Sequence, residues 1–166
     1  MKPVEVLCMI LLLTTAGVVQ SQTRPRTEVA PEYTWNTADL FPDAAAWRNA
    51  MNQLNDLVPE IAAFQGKLAS SARDLYACLE LRTELSRRFG RLSTYAGLLS
   101  DQDTRDSEAL AMKQETSQLG VDLSSRLAFI EPEIAALTSA RIDQFIAQEE
   151  GLETYAFYLR DVLRRK

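Results

Sequence analysis

The sequence predicts an all-α protein, a bundle of about five helices organised around a long antiparallel helix hairpin. Three observations carry that expectation. From Asp43 onward, apolar residues recur at steps of three and four, which lines one face of a 3.6-residue helix. No segment alternates apolar and polar residues with the period of two that marks a half-buried strand. Two of the periodic runs are long and separated only by the polar stretch 100–106, so each must hide its stripe against the other.

The first helix is expected to start at Asp43, a capping residue behind Pro42, with Trp47, Met51, Leu54, Ile61 and Leu68 among its apolar face. Pro59 lacks an N–H and its ring clashes with the preceding turn, which predicts a kink or a break into two shorter helices. Gly66 is placed to end the run. The second helix should begin near Ser70 or Ser71 and reach about Leu99, with Cys78, Leu85, Phe89, Leu92, Ala96 and Leu99 on one stripe. Glu80, Glu84, Arg87, Arg88 and Arg91 fall on its other face, which reads as a solvated surface with minor ion pairs. The third begins near Ser107 and carries Met112, Thr116, Leu119, Leu123, Leu127, Ile130 and Ile134; Pro132 should bend or interrupt its end. Two shorter helical segments, 142–147 and 152–163, follow on either side of Gly151.

At 166 residues, 46% hydrophobic and 25% charged, the chain has the composition of one globular domain with one core. Lys2 precedes an uncharged apolar run over 6–19 and the small residue Ser21, the pattern of a secretory signal peptide, so residues 1–21 are expected to be removed on export to the periplasm or the medium. That run is shorter than the roughly 20 residues that cross a bilayer. Residues 22–32, polar and holding Pro25 and Pro31, read as a flexible lead to a helical domain over 33–166. Cleavage leaves 17 basic and 22 acidic side chains, a balance that argues against nucleic-acid and anionic-membrane partners. It also leaves Cys78 as the one cysteine, so no intramolecular disulfide can form. The chain contains no histidine to serve Cys78 as a base, and a buried small hydrophobe is the better reading of that thiol.

Other chemistry is sparse. Asp101, Asp103 and Asp106 form a carboxylate cluster, but on the calcium-loop template Arg105 falls at the fifth position, Asp106 where glycine is required and Met112 where a closing glutamate should be. Turn and capping roles fit better. Glu131 and Glu133 flank Pro132 and read as charges at a helix break. There is no glycine-rich phosphate loop, Ser-His-Asp set or Cys-x-x-Cys pair. The aromatics Tyr33, Trp35, Phe41 and Trp47 are expected to pack an opening strap against the bundle. No catalytic, cofactor-binding or metal-binding residue is assigned.

The opening segment Tyr33-Thr34-Trp35-Asn36-Thr37-Ala38-Asp39-Leu40-Phe41-Pro42 resembles that of the oligoendopeptidase F family of thimet-oligopeptidase-like zinc metallopeptidases. Trp47, the run Ile61-Ala62-Ala63-Phe64-Gln65-Gly66-Lys67-Leu68, the turn 100–106, Phe129-Ile130-Glu131-Pro132-Glu133-Ile134 and the segment 155–166 follow in the family's order. The resemblance implies the N-terminal helical region of such an enzyme, a wall of a channel that admits oligopeptides, ending before the His-Glu-x-x-His helix that holds zinc and activates water. It implies a C-terminal catalytic half as partner, zinc in the full-length enzyme but none in this chain, and no activity of the chain alone. Without that half, Tyr155, Phe157, Tyr158 and Val162 are expected on a wet contact face. The alternative is a free-standing exported helical module that binds protein or peptide.

Overall fold

Side-chain caps set where the helices begin. In the computed structural model, which describes residues 28–165, Asp43 accepts from the Ala46 N–H at 2.7 Å and opens α1 (Ala44–Leu57). Ser71 accepts from the Asp74 N–H and opens α2 (Ala72–Gln102). Asp106 accepts from the Glu108 and Ala109 N–H groups ahead of α3 (Ser107–Leu127). After the short α4 (Ile130–Ala135), Thr138 caps α5 (Ser139–Gln148), and α6 (Ala156–Arg164) follows. Each cap satisfies backbone donors that a helix start leaves open. The described residues thus hold five helices of nine residues or more and one of six, with no strand, the expected all-α class.

The breaks between helices follow from the prolines. Val58–Phe64 winds as 3₁₀ helix around Pro59, so the first helix divides as expected. Gly66 then turns the chain with φ +79°, in the left-handed region that favours glycine. At the end of α3 the interruption falls at 128–129, ahead of Pro132. A proline ring clashes with the carbonyl four residues back, here that of Ala128, so the chain breaks there and Pro132 sits in the first turn of α4, where it is tolerated. The segment after Gly151 also divides, into 3₁₀ helix over Glu150–Tyr155 and α6. A Cβ on Gly151 would lie 2.4 Å from the Tyr76 ring, so α2 and this turn approach more closely than any other residue permits.

The chain separates into two units, Met1–Thr34 and Trp35–Lys166. In the first, the described part holds a 3₁₀ turn over Pro31–Tyr33 whose Pro31 carbonyl accepts from the Thr34 hydroxyl at 2.8 Å. The expected signal peptide, 1–21, lies outside the described residues, as does most of the expected lead. In the second unit α2 and α3 pack as the expected antiparallel pair. α1 lies against α2 and the 3₁₀ segment behind it against both, while α5, the 3₁₀ segment 150–155 and α6 form a further layer. Trp47, Leu54, Ile61, Leu75, Leu85 and Phe145 are buried in one continuous core. Trp47 donates its indole N–H to the Leu92 carbonyl at 3.0 Å, and Thr116 satisfies its buried hydroxyl on the Met112 carbonyl one turn back.

Candidate functional site

The polar face of α2 is solvent-facing and carries ion pairs, as expected. Glu84 accepts from Arg87, through Nε at 3.0 Å and Nη2 at 2.5 Å, and from Arg88 Nε at 2.5 Å. Both donors lie one turn further along the helix, the spacing that brings side chains together. Their hydrogen bonds hold the Glu84 carboxyl below the usual carboxylate range, Arg88 contributing most. Arg91, one turn further on, donates to the Leu40 carbonyl and stacks its guanidinium 4.7 Å from the centre of the Phe41 ring. Phe41 in turn meets Tyr95 edge-on. Between these arginines and α1 lies a cleft of about 310 Å³, with Phe41, Leu92 and Ala50 on its apolar side and Gln53 beside them. The sequence placed these charges on one helix face; it did not place α1 and Phe41 across from them, because the contact of Arg91 with Leu40 spans 51 residues of chain.

A second cleft, of about 520 Å³, opens where α3 breaks into α4 and is lined by Arg82, Ser86, Ser124, Glu131 and Tyr158. Arg82 stacks 4.7 Å from the Tyr158 ring centre. The Tyr158 hydroxyl is buried with no hydrogen-bond partner among the described residues. Burial pushes its phenol pKa up, with Arg82 opposing.

The other residues singled out in the sequence have structural roles. The acidic turn is a hairpin connector: Asp106 caps α3, Asp103 holds Arg105 at 3.0 Å, and Asp101 lies 3.6 Å from Lys113. Cys78 is fully buried, and burial pushes its thiol up to about 12, with Glu133 adding and Arg82 opposing. Glu133 does more than mark a helix break. Its two carboxylate oxygens accept from the Gly66 N–H at 2.6 Å and the Leu68 N–H at 3.3 Å, fastening the turn after the first helix to α4. Glu131 pairs with Arg165 at 3.6 Å.

Two expectations need correction. Of the four aromatics in the opening segment, Phe41 and Trp47 are buried, but Tyr33 is 80% and Trp35 64% exposed. Trp35 is held by its carbonyl, which accepts from Gln102 Nε2 at 3.3 Å, so the backbone and not the ring fastens this stretch. Of the residues expected on a wet face, Phe157 alone is strongly exposed, at 84%. Val162 is buried, Tyr155 binds Glu80 and Thr83 through its hydroxyl, and Tyr158 is packed under Arg82. The apolar stripe of α6 is already covered by α4 and α5.

Zinc does not fit the donors present. The chain has no histidine, the Cys78 thiol is enclosed and held protonated, and among the described residues no three acidic, cysteine or histidine side chains are grouped to hold a metal.

Comparison with known proteins gives no matching family model. The oligopeptidase PepF of Bacillus subtilis is 33% identical over 146 residues, 88% of this chain and 22% of PepF. A candidate peptidase from Chlamydophila abortus has a crystal structure that superposes with a TM-score of 0.75 at 25% identity, over 86% of this chain and 24% of that one. The oligoendopeptidase F of Enterococcus faecium shares the fold with a TM-score of 0.68 over 74% of this chain. The chain therefore spans about a fifth of the length of PepF. Across that span, by sequence and by helix arrangement, it is similar to proteins of the oligoendopeptidase F family.

Proposed function

We propose that this chain is the N-terminal, non-catalytic helical part of an exported oligoendopeptidase F-like zinc metallopeptidase, and that its helices form one wall of the channel through which peptides reach the metal. The observation that carries the reading is the collinear match to PepF over 88% of this chain and 22% of PepF, in a sequence without a single histidine. A wall built from capped helices and one continuous core restricts what enters; the bond-breaking groups come from the remainder of the enzyme, with zinc and the water it activates. The apolar run 6–19 behind Lys2 supports export.

One preparation tests this. The chain is expressed from its own start codon and recovered from outside the cytoplasm, and its N-terminus is read by mass spectrometry. A start close to Gln22 is expected, and an intact Met1 would remove the export claim. The purified chain should carry less than stoichiometric zinc and leave a quenched fluorescent peptide uncut. Mixed with the separately produced remainder of PepF, it should raise chelator-sensitive cleavage. Cleavage by the chain alone would overturn the non-catalytic assignment.

One observation favours a second reading, a free-standing peptide- or protein-binding module. Tyr155, Tyr158 and Val162 are packed inside the chain's own fold. DNA that continues the family sequence beyond the Lys166 codon favours the first reading; a stop codon followed by unrelated sequence favours the second.

A further inference from the structure

The cleft between α1 and α2 gathers three guanidiniums around one carboxylate, in a chain whose net charge is −5. Glu84 is shared between Arg87 and Arg88, and Arg91 rests on a neutral carbonyl and a ring, so the charged groups lining the cleft leave an excess of two positive charges. Arg87 and Arg88 face solvent, their side chains 72% and 42% exposed, whereas Arg91 is fixed before any ligand arrives. A planar guanidinium fork matches a carboxylate in two parallel hydrogen bonds. Phe41, Leu92 and Ala50 offer an apolar side for methylene groups, and Gln53 an amide for a peptide backbone.

We propose that this cleft binds the side-chain carboxylates of acidic oligopeptides, one of them seating between Arg87 and Arg88 in the place that Glu84 now occupies. The peptide as ligand rests on the channel-wall reading above; the anion chemistry stands on the cleft itself. Glu84 is then an internal competitor, and removing its charge should strengthen binding while weakening the local ion pairs. A purely structural ion-pair cluster predicts no binding in either form.

The test uses a fluorescein-labelled tetraglutamate peptide, with tetraglutamine as control, titrated into the purified chain and followed by anisotropy. Saturable binding is expected for tetraglutamate and not for tetraglutamine, and it should weaken with added salt as exposed charges are screened. R87A/R88A should weaken it about tenfold, and Glu84→Gln should tighten it several-fold, each variant keeping the parent circular dichroism and melting temperature. Binding that is absent, unchanged in R87A/R88A or unchanged in Glu84→Gln overturns the proposal, as does displacement by inorganic phosphate at lower concentration than by free tetraglutamate. The result is separable from that of the mixing experiment with PepF. Failure here with restored cleavage there removes only the cleft, and binding here with no restored cleavage removes only the channel wall.

Discussion

Cys78 shows how far burial governs chemistry in this chain. Its thiol is raised from a usual value of 9.0 to about 12, chiefly because the thiolate would stand in the core without water. Below pH 9.0 both folded and unfolded chains keep the proton, and the contribution to stability is fully present. Between there and about 12 the unfolded thiol ionises while the folded one does not, so stability is lost as pH rises. At pH 8 a native chain lacking residues 1–21, and with them Cys8, should therefore react with a disulfide reagent orders of magnitude more slowly than after unfolding in guanidinium chloride, when its one thiol titrates. Reaction of the native chain at the rate of a free thiol would place Cys78 at the surface. This role was legible in the sequence from a lone cysteine on an apolar stripe with no histidine to activate it. The exposure of Trp35 was not, because composition locates aromatic rings near the start of a domain without saying whether ring or backbone makes the contact.

Between elements, the least visible contact is the carboxylate of Glu133 on the Gly66 and Leu68 N–H groups, 67 and 65 residues away along the chain. Periodicity and capping signals are local and found α1, α2 and α3 with their starting residues. A side chain that closes another element's turn leaves no local trace. The break before Pro132 was half legible: the proline announces it, and the clash four residues back decides that it falls at Ala128. Glu133→Ala removes a charged acceptor from two backbone donors and should cost about 1–3 kcal/mol in urea unfolding. Glu133→Gln keeps one acceptor oxygen and should cost less. Equal stability of Glu133→Ala and the parent would show that water replaces the carboxylate without loss.

At the scale of the whole molecule, Phe157 is, among the described residues, the strongly exposed apolar side chain of α6, while its neighbour Tyr158 packs on the core. Phe157→Ser should leave stability within about 0.5 kcal/mol, since the ring touches little, and should lower any self-association seen by sedimentation. Tyr158→Ser should instead cost about 2 kcal/mol or more, because the ring packs on the core and under Arg82. A Phe157→Ser variant as unstable as Tyr158→Ser would show that the α6 surface is packed where it is drawn open. The basic cleft, too, belongs to this scale, since it forms only when α1 and the opening segment close over α2.

α2 runs for 31 residues, about 46 Å at the usual rise, and α1, α3, α5 and both long 3₁₀ segments lie against it. Chief among the neighbours of α6 are α4, α5 and the 3₁₀ turn beside it, so the far end reaches the long helix mainly through intermediaries. Opening of the chain is accordingly graded. The α4–α6 layer is expected to detach while the α2–α3 pair stays closed, whereas melting α2 removes the support that α1, α3 and both long 3₁₀ segments share. In native-state hydrogen exchange, amide protons along the middle of α2 should exchange only with the whole chain and those of α6 as an earlier, separate cooperative unit; equal protection of the two helices would show that the layers open together.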